Sequence, residues 1–127
     1  MCYSLLDIER KLNIHLPEKY KKLYFSDFAE VDKNKLQIEE DIFYIKKFLT
    51  VTEIISALDE FYDFWGYDIV PIAEVEDGDY ICLYYKDSRN NPIIVYWDYD
   101  IAIENSGTSM LFLYDNIEQF EIALRQK

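Results

Sequence analysis

The residue types that most often carry out catalysis are sparse in this chain. His15 is the only histidine, and the two cysteines, Cys2 and Cys82, are separated by most of the sequence. Nucleophilic catalysis needs a base within hydrogen-bond reach of a serine or cysteine, and nothing close to His15 in the sequence supplies such a pair. The Cys and His spacings that bind zinc are also absent. We therefore expect no catalytic dyad, and we expect Cys82, which lies in an apolar run, to be a small buried hydrophobe.

Phosphate-binding loops need closely spaced glycines, and this chain contains only three. The sequence has no G-x-x-x-x-G-K-[ST] or G-x-G-x-x-G loop for nucleotides, and no G-x-S-x-G turn for a nucleophilic serine. Nucleotide chemistry is therefore not expected. We predict that the protein is not an enzyme and has no catalytic residues.

Carboxylates are the one chemically active group that is abundant. Asp77-Gly78-Asp79 and Asp98-Tyr99-Asp100 could hold a divalent cation, because hard cations prefer carboxylate oxygens. Neither has the spacing of a calcium loop, and Asp77-Gly78 is more simply a turn before a strand. Acid pairs suited to glycoside hydrolysis arise by chance among so many carboxylates. We predict no metal and no cofactor, and we keep an acid-based enzyme only as a third hypothesis.

The charge of the chain is strongly negative and uneven. Thirteen Lys and Arg stand against twenty-five Asp and Glu, which gives a net charge of −12. Residues 1–47 hold nine basic and nine acidic side chains, whereas residues 48–127 hold four and sixteen. Such a surface repels nucleic-acid backbones and anionic membranes, so we expect neither as a direct partner. A protein with a basic surface is favoured as the partner, because charge complementarity speeds encounter.

Acidic and aromatic residues are mixed in the acidic part of the chain. Aromatic side chains supply short-range binding energy, so a mixed surface suits a basic protein. The alternative interpretation is that the acids are solvated faces and the aromatics belong to the core. The predicted contact residues are three acids on a helical stripe, Asp59, Glu60 and Asp63, and three acids in the turn before a central strand, Glu76, Asp77 and Asp79.

Two capping boxes predict where helices begin. Ser4 is followed three residues later by Asp7, and Thr50 three residues later by Glu53. In this arrangement two side chains satisfy the first backbone N–H groups of a helix. We expect a first helix from Leu5 and a longer one after Thr50 that continues to Gly66.

Further helices and a sheet complete the predicted fold. Pro17 suits the first position of a second helix, and Asn116 can cap a terminal helix. Short apolar runs separated by turn residues predict antiparallel strands. The runs are 36–38, 42–45, 69–73, 80–85, 93–97, 101–103 and 111–114. Runs 80–85 and 93–97 show no apolar–polar alternation, so we expect them to be central and covered on both faces. The order of elements predicts one α+β domain over residues 1–127, with a mainly antiparallel sheet and flanking helices.

The start of the chain bears on its compartment. The first nine residues have no basic segment and reach acids before any long apolar run, so we expect no signal peptide. No apolar stretch approaches the roughly 20 residues needed to cross a bilayer. We therefore expect a cytoplasmic protein.

Five segments in order resemble the SMI1/KNR4 family of the SUKH superfamily. The resemblance begins where a helix leads into Leu16-Pro17-Glu18-Lys19-Tyr20, which looks like the family's Leu-Pro-x-x-Tyr. It continues through Pro71-Ile72-Ala73, Gly78-Asp79-Tyr80-Ile81-Cys82-Leu83, the run from Pro92 to Asp98, and the closing segment from Asp115 to Phe120. Together they span nearly the whole chain.

This resemblance implies a function that composition alone does not. Bacterial members of the superfamily are regarded as immunity proteins that bind and neutralise polymorphic or contact-dependent toxins, often nucleases. Fungal relatives regulate cell-wall signalling. The first hypothesis is therefore a cytoplasmic immunity protein that inhibits a cognate toxin by stoichiometric protein–protein interaction. The alternative is a non-catalytic adaptor or regulatory module that binds another cellular protein.

Overall fold

The computed structural model describes residues 4–27, 35–38, 41–75, 78–85, 88–99 and 110–125. Its helices are α1 (Leu5–Leu12), α2 (Glu18–Lys22), α3 (Val51–Glu60), α4 (Tyr62–Trp65) and α5 (Ile117–Arg125), and α2 continues into a π-helical turn, Leu23–Asp27. Its strands are β1 (Lys35–Ile38), β2 (Asp41–Phe48), β3 (Ile69–Val75), β4 (Tyr80–Tyr84), β5 (Ile93–Trp97) and β6 (Met110–Tyr114). The predicted α+β class is confirmed.

The predicted helix starts are confirmed with small adjustments. The Asp7 carboxylate accepts a hydrogen bond from the Ser4 backbone N–H at 2.6 Å. At the start of α3, the Thr50 side chain accepts from the Glu53 backbone N–H at 3.2 Å, and the Glu53 carboxylate accepts from the Thr50 N–H at 3.0 Å. Pro17 is the N-cap of α2 and not its first helical residue. Each box satisfies backbone donors that a helix leaves without an internal partner.

The long helix predicted from Thr50 to Gly66 is interrupted. Helix α3 ends at Glu60, and Phe61 leaves the helical conformation with φ −107° and ψ 21° before α4 begins. Gly66 ends α4 with a positive φ of 55°, as its position predicted. The ring of Phe61 packs 5.2 Å from the ring of Trp97 on β5. This tertiary contact overrides the continuous helical periodicity of the sequence.

The six strands form an antiparallel meander in the order β1-β2-β3-β4-β5-β6. Strand β2 is shared by two neighbours, because residues 41–44 pair with β1 and residues 45–48 pair with β3. Strands β4 and β5 pair in regular register, with Cys82 opposite Val95. Both are buried over most of their length, which confirms their predicted central position. The predicted run 101–103 lies outside the described residues.

The core lies between the sheet and its helices. Helix α3 packs on β3 and contacts α1, while α5 packs on β5 and β6. The largest fully buried side chains are Trp97, Tyr20, Tyr85 and Phe120. In the part of the chain that the structure describes, no helix is both long enough and apolar enough to cross a membrane.

Arg89 joins the loop between β4 and β5 to the first helix. Its guanidinium donates to the Leu12 carbonyl at 2.7 Å, to the Tyr67 carbonyl at 2.8 Å and to the Asp68 carboxylate at 2.6 Å. Its own carbonyl accepts from the His15 N–H at 2.9 Å. The planar fork of an arginine suits several acceptors at once, so this residue fixes the loop, α1 and the segment after α4 against one another.

Candidate protein-binding surface

Several described carboxylates of residues 48–127 have a cationic partner. Five ion pairs engage them: Glu53 with Lys47, Asp59 with Lys11, Asp68 with Arg89, Glu74 with Lys46 and Glu121 with Lys19. Four of the five cations come from residues 1–47, and the fifth is Arg89. Residues 48–85 contain no Lys or Arg. Lysines of residues 1–47 therefore neutralise part of the negative charge of residues 48–127 locally.

Three of the predicted contact residues lie at the junction of α3 and α4. Asp59 and Glu60 are the last residues of α3, and Asp63 lies on α4. All three are exposed, and the Asp59 carboxylate lies 3.1 Å from the Lys11 ammonium. Among the described residues, Glu60 and Asp63 have no ion-pair partner. Both carboxylates are therefore accessible to another molecule.

Asp79 has a different place in the structure from the other predicted contact residues. It is only 6% exposed. One carboxylate oxygen accepts from the Tyr96 hydroxyl at 2.6 Å, and the other accepts from the Tyr99 backbone N–H at 2.9 Å. Both oxygens are thus used inside the fold, where they fasten the turn before β4 to the end of β5. Glu76 and Asp77 lie outside the described residues.

An aromatic cluster underlies the α3–α4 junction. Phe61 sits at its centre, with its ring 4.9 Å from Trp65, 5.2 Å from Trp97 and 5.8 Å from both Tyr80 and Tyr99. The Trp65 and Trp97 rings are buried and meet edge to face at 5.0 Å. Their indole N–H groups have no hydrogen-bond partner among the described residues. Ring packing, which prefers such tilted and edge-to-face contacts, therefore holds the cluster together.

Four aromatic rings around this cluster remain at the surface. Tyr62 is 48% exposed, Phe64 38%, Tyr67 53% and Tyr99 38%. Large apolar groups that stay exposed beside one another commonly mark interaction sites. We use the name acidic–aromatic patch for these four rings and the two unpaired carboxylates: Glu60, Tyr62, Asp63, Phe64, Tyr67 and Tyr99.

The pKa values of two tyrosine hydroxyls in and beside the patch are raised. A hydrogen bond with Tyr67, together with the negative charge of nearby groups, raises the pKa of Tyr62. Burial, reinforced by the charges of Glu74 and Glu60, raises the pKa of Tyr80 to about 12. Both phenols are neutral at physiological pH, so Glu60 and Asp63 supply the negative charge of the patch.

Sequence reasoning found the acids of the patch but did not distinguish its exposed rings from its buried ones. Trp65 and Tyr62 both belong to the stretch in which acidic and aromatic residues are mixed, yet Trp65 is buried and Tyr62 is half exposed. The signal in the sequence was the alternation of acids and aromatics over residues 59–68, in a stretch without Lys or Arg. The burial of each ring depends on contacts with β5, which the local sequence does not encode.

The remaining candidates for chemistry are not brought together. Cys82 is fully buried, as predicted, and burial raises the pKa of its thiol well above the usual value. His15 is exposed beside a groove of about 290 Å³ that Glu18, Asn90, Asp115 and Glu118 help to line. Within the described residues no three His, Cys, Asp or Glu side chains converge as metal ligands would. Asp77 and Asp100, which belong to the two candidate cation loops, lie outside the described residues.

Comparison with known families gives a match over most of the chain. Residues 4–122 match the model of the SMI1 / KNR4 family (SUKH-1). The chain belongs to the SMI1/KNR4 family. Comparison with curated proteins and with solved structures finds no significant match.

The segments that carried the resemblance have clear structural positions in this SMI1/KNR4 protein. Pro71-Ile72-Ala73 lies within the buried strand β3, and Tyr80-Ile81-Cys82-Leu83 forms most of the central strand β4. Gly78 has a φ of +87°, which suits glycine in the turn before β4. The neighbouring Asp79 makes the two internal hydrogen bonds described above. In this chain, Gly78 and Asp79 therefore stabilise the turn before β4, next to the patch.

Proposed function

We propose that this SMI1/KNR4 protein is an immunity protein, which binds a cognate toxin domain stoichiometrically and blocks it without any turnover of its own. The observation that carries the proposal is the family match over residues 4–122, since the family includes immunity proteins. An inhibitor of this kind needs a binding surface and no catalytic constellation. The acidic–aromatic patch is the surface we assign to that role.

The charge of the patch indicates the kind of toxin that fits. Nuclease toxins carry basic surfaces where they hold nucleic acid, and an acidic inhibitor can occupy such a surface. Glu60 and Asp63 present unpaired charge, and Asp59 lies beside them with its ion pair to Lys11. We propose that these three residues contact the toxin, and Glu76 and Asp77, which lie outside the described residues, remain predicted contacts.

Asp79 serves this surface indirectly in our proposal. Its carboxylate holds the backbone of Tyr99, whose ring belongs to the patch. A substitution of Asp79 is therefore expected to affect stability first and binding through the position of Tyr99. We also propose that the protein acts in the cytoplasm, where a nuclease toxin reaches its substrate.

Co-expression tests the proposal directly. The protein encoded immediately upstream is expressed with and without this chain, and growth and complex formation are measured. Stable one-to-one capture together with rescue of growth supports the immunity function. Neither capture nor rescue would contradict it and would favour the alternative, a non-catalytic adaptor or regulator that binds another cellular protein.

A further inference from the structure

Each exposed ring of the patch packs against another aromatic ring, and two of them pack against the core. Phe64 lies 5.7 Å and Tyr99 5.8 Å from the ring of the fully buried Trp97. Tyr62 and Tyr67 support each other in an edge-to-face pair at 5.5 Å. Rings that are already fixed lose little conformational freedom on binding, so they are efficient anchors for a partner.

The geometry of these contacts leaves ring faces open. In an edge-to-face pair, the edge of one ring meets the face of the other, so each ring keeps at least one face without a partner in that pair. The exposed fractions of Tyr62 and Tyr67, 48% and 53%, agree with this arrangement. An open aromatic face attracts a cation because of the negative charge density above the ring.

The carboxylates of the patch select for the same kind of group. Asp63 lies between Tyr62 and Phe64 in the single turn of α4, and Glu60 ends the preceding helix. An arginine guanidinium can stack on a ring while it donates hydrogen bonds to a neighbouring carboxylate, because it is planar and weakly hydrated. A lysine ammonium is a compact and strongly hydrated charge, which gains less from an aromatic face.

We infer that the acidic–aromatic patch recognises arginine side chains on the surface of a protein partner in preference to lysine. This inference rests on the proposed function for the identity of the partner, but the arginine preference is a property of the patch itself. It names the chemistry of the toxin surface: arginines spaced so that they stack on the exposed rings and pair with Glu60 and Asp63.

Three peptides of equal length test the preference without a toxin. One alternates Arg with Gly, one Lys with Gly and one Gln with Gly, and each is titrated calorimetrically into the full-length protein. We expect the arginine peptide to bind at least about fivefold more tightly than the lysine peptide, and the glutamine peptide to bind weakest. Equal affinities for the arginine and lysine peptides would overturn the inference.

Variants assign the preference to the patch. In Tyr62→Ser/Phe64→Ser/Tyr67→Ser, the two cationic peptides should bind with affinities within about twofold of each other. Glu60→Gln/Asp63→Asn should weaken the binding of both cationic peptides, because each loses the attraction of the two carboxylates. The matched control is Phe25→Ser/Leu111→Ser/Phe112→Ser, which removes three exposed apolar side chains elsewhere and should keep the preference. Loss of the preference in the control as large as in the patch variant would contradict the inference.

Single substitutions keep the test decisive if the triple variant does not fold. Tyr67→Ser changes the most exposed ring of the patch and should reduce the arginine preference, whereas Phe25→Ser, at a position 76% exposed, should not. Because these assays contain no toxin, they separate the two proposals. Growth rescue without an arginine preference would support the proposed function and contradict the inference. An arginine preference without growth rescue would support the inference and contradict the proposed function.

Discussion

The hydroxyl of Tyr96 donates a hydrogen bond of 2.6 Å to the carboxylate of Asp79, across two neighbouring strands. The second oxygen of Asp79 accepts from the Tyr99 backbone N–H at 2.9 Å. A carboxylate inside the fold is costly unless its oxygens are satisfied, and here each has a donor. Asp79 therefore couples the turn before β4 to the segment that carries Tyr99 into the patch.

Removal of the Asp79 carboxylate should destabilise the protein. We expect Asp79→Ala to lower the free energy of unfolding by about 1.5–3 kcal/mol, which is the range for hydrogen bonds to charged groups. Tyr96→Phe removes only the hydrogen bond from the Tyr96 hydroxyl to Asp79, so it should lower the free energy of unfolding by less. Chemical denaturation with both single variants and the double variant measures the coupling. An Asp79→Ala protein as stable as the wild type would contradict the structural role of this residue.

Arg89 should not tolerate a change to lysine. Its fork reaches the Leu12 carbonyl, the Tyr67 carbonyl and the Asp68 carboxylate, which one ammonium cannot replace with the same geometry. We expect Arg89→Lys to lower the free energy of unfolding by about 1–3 kcal/mol. Arg10→Lys, on the exposed face of α1, is the matched control and should stay within about 0.5 kcal/mol of the wild type. Equal effects of the two substitutions would show that the fork has no special role.

The ion pair at the start of α3 should make stability depend on acidic pH. The hydrogen bond from Lys47, followed by the backbone N–H of Thr50, holds the pKa of Glu53 below its ordinary value of 4.5. The unfolded chain therefore takes up this proton at a higher pH than the folded chain. The contribution is complete above pH 4.5 and is lost as the pH falls through the lowered pKa.

Glu53→Gln should remove that part of the acid dependence. Because the pair is largely exposed, we expect the change in acid dependence to be small. Denaturant unfolding at several pH values on both sides of 4.5 measures it, with Glu60→Gln as a control at an unpaired acid on the same helix. The account of the ion pair fails if the Glu53→Gln protein keeps the acid slope of the wild type.

At alkaline pH the partly buried Tyr80 should act in the opposite direction. Burial, with the charges of Glu74 and Glu60, raises the pKa of Tyr80 from 10.0 to about 12. Between these values the unfolded chain loses a proton that the folded chain keeps, so stability falls as the pH rises through this range. Tyr80→Phe should reduce the alkaline slope, measured by denaturant unfolding. An unchanged slope would show that Tyr80 does not contribute to it.

Local signals in the sequence predicted the elements well. The box of Thr50 and Glu53 starts α3 as expected, and the Asn116 side chain accepts from the Gln119 N–H at 2.9 Å at the start of α5. Strand β5 has the predicted bounds, Ile93–Trp97. These features depend on residues a few positions apart, so the chain reveals them without its tertiary structure.

The features that could not be predicted depend on distant partners. Asp79 follows a glycine and has the pattern of a solvated turn acid, but its donor Tyr96 is 17 positions away. Arg89 lies in a loop that indicated only a turn, and it reaches a carbonyl 77 positions away. The interruption at Phe61 likewise follows from its contact with Trp97 on another strand. In each case, the tertiary fold decides the role of a residue whose local pattern is ordinary.

The affinity of the co-purified toxin for charge-reversed protein decides whether the acidic–aromatic patch binds the toxin. We compare Glu60→Lys/Asp63→Lys with Asp115→Lys/Glu118→Lys, which makes the same change in net charge at exposed acids outside the patch. We expect the patch variant to bind the toxin at least about tenfold more weakly and to lose growth rescue. The control should stay within about threefold of the wild type. Equal weakening by both variants, or full affinity of the patch variant, would contradict the account.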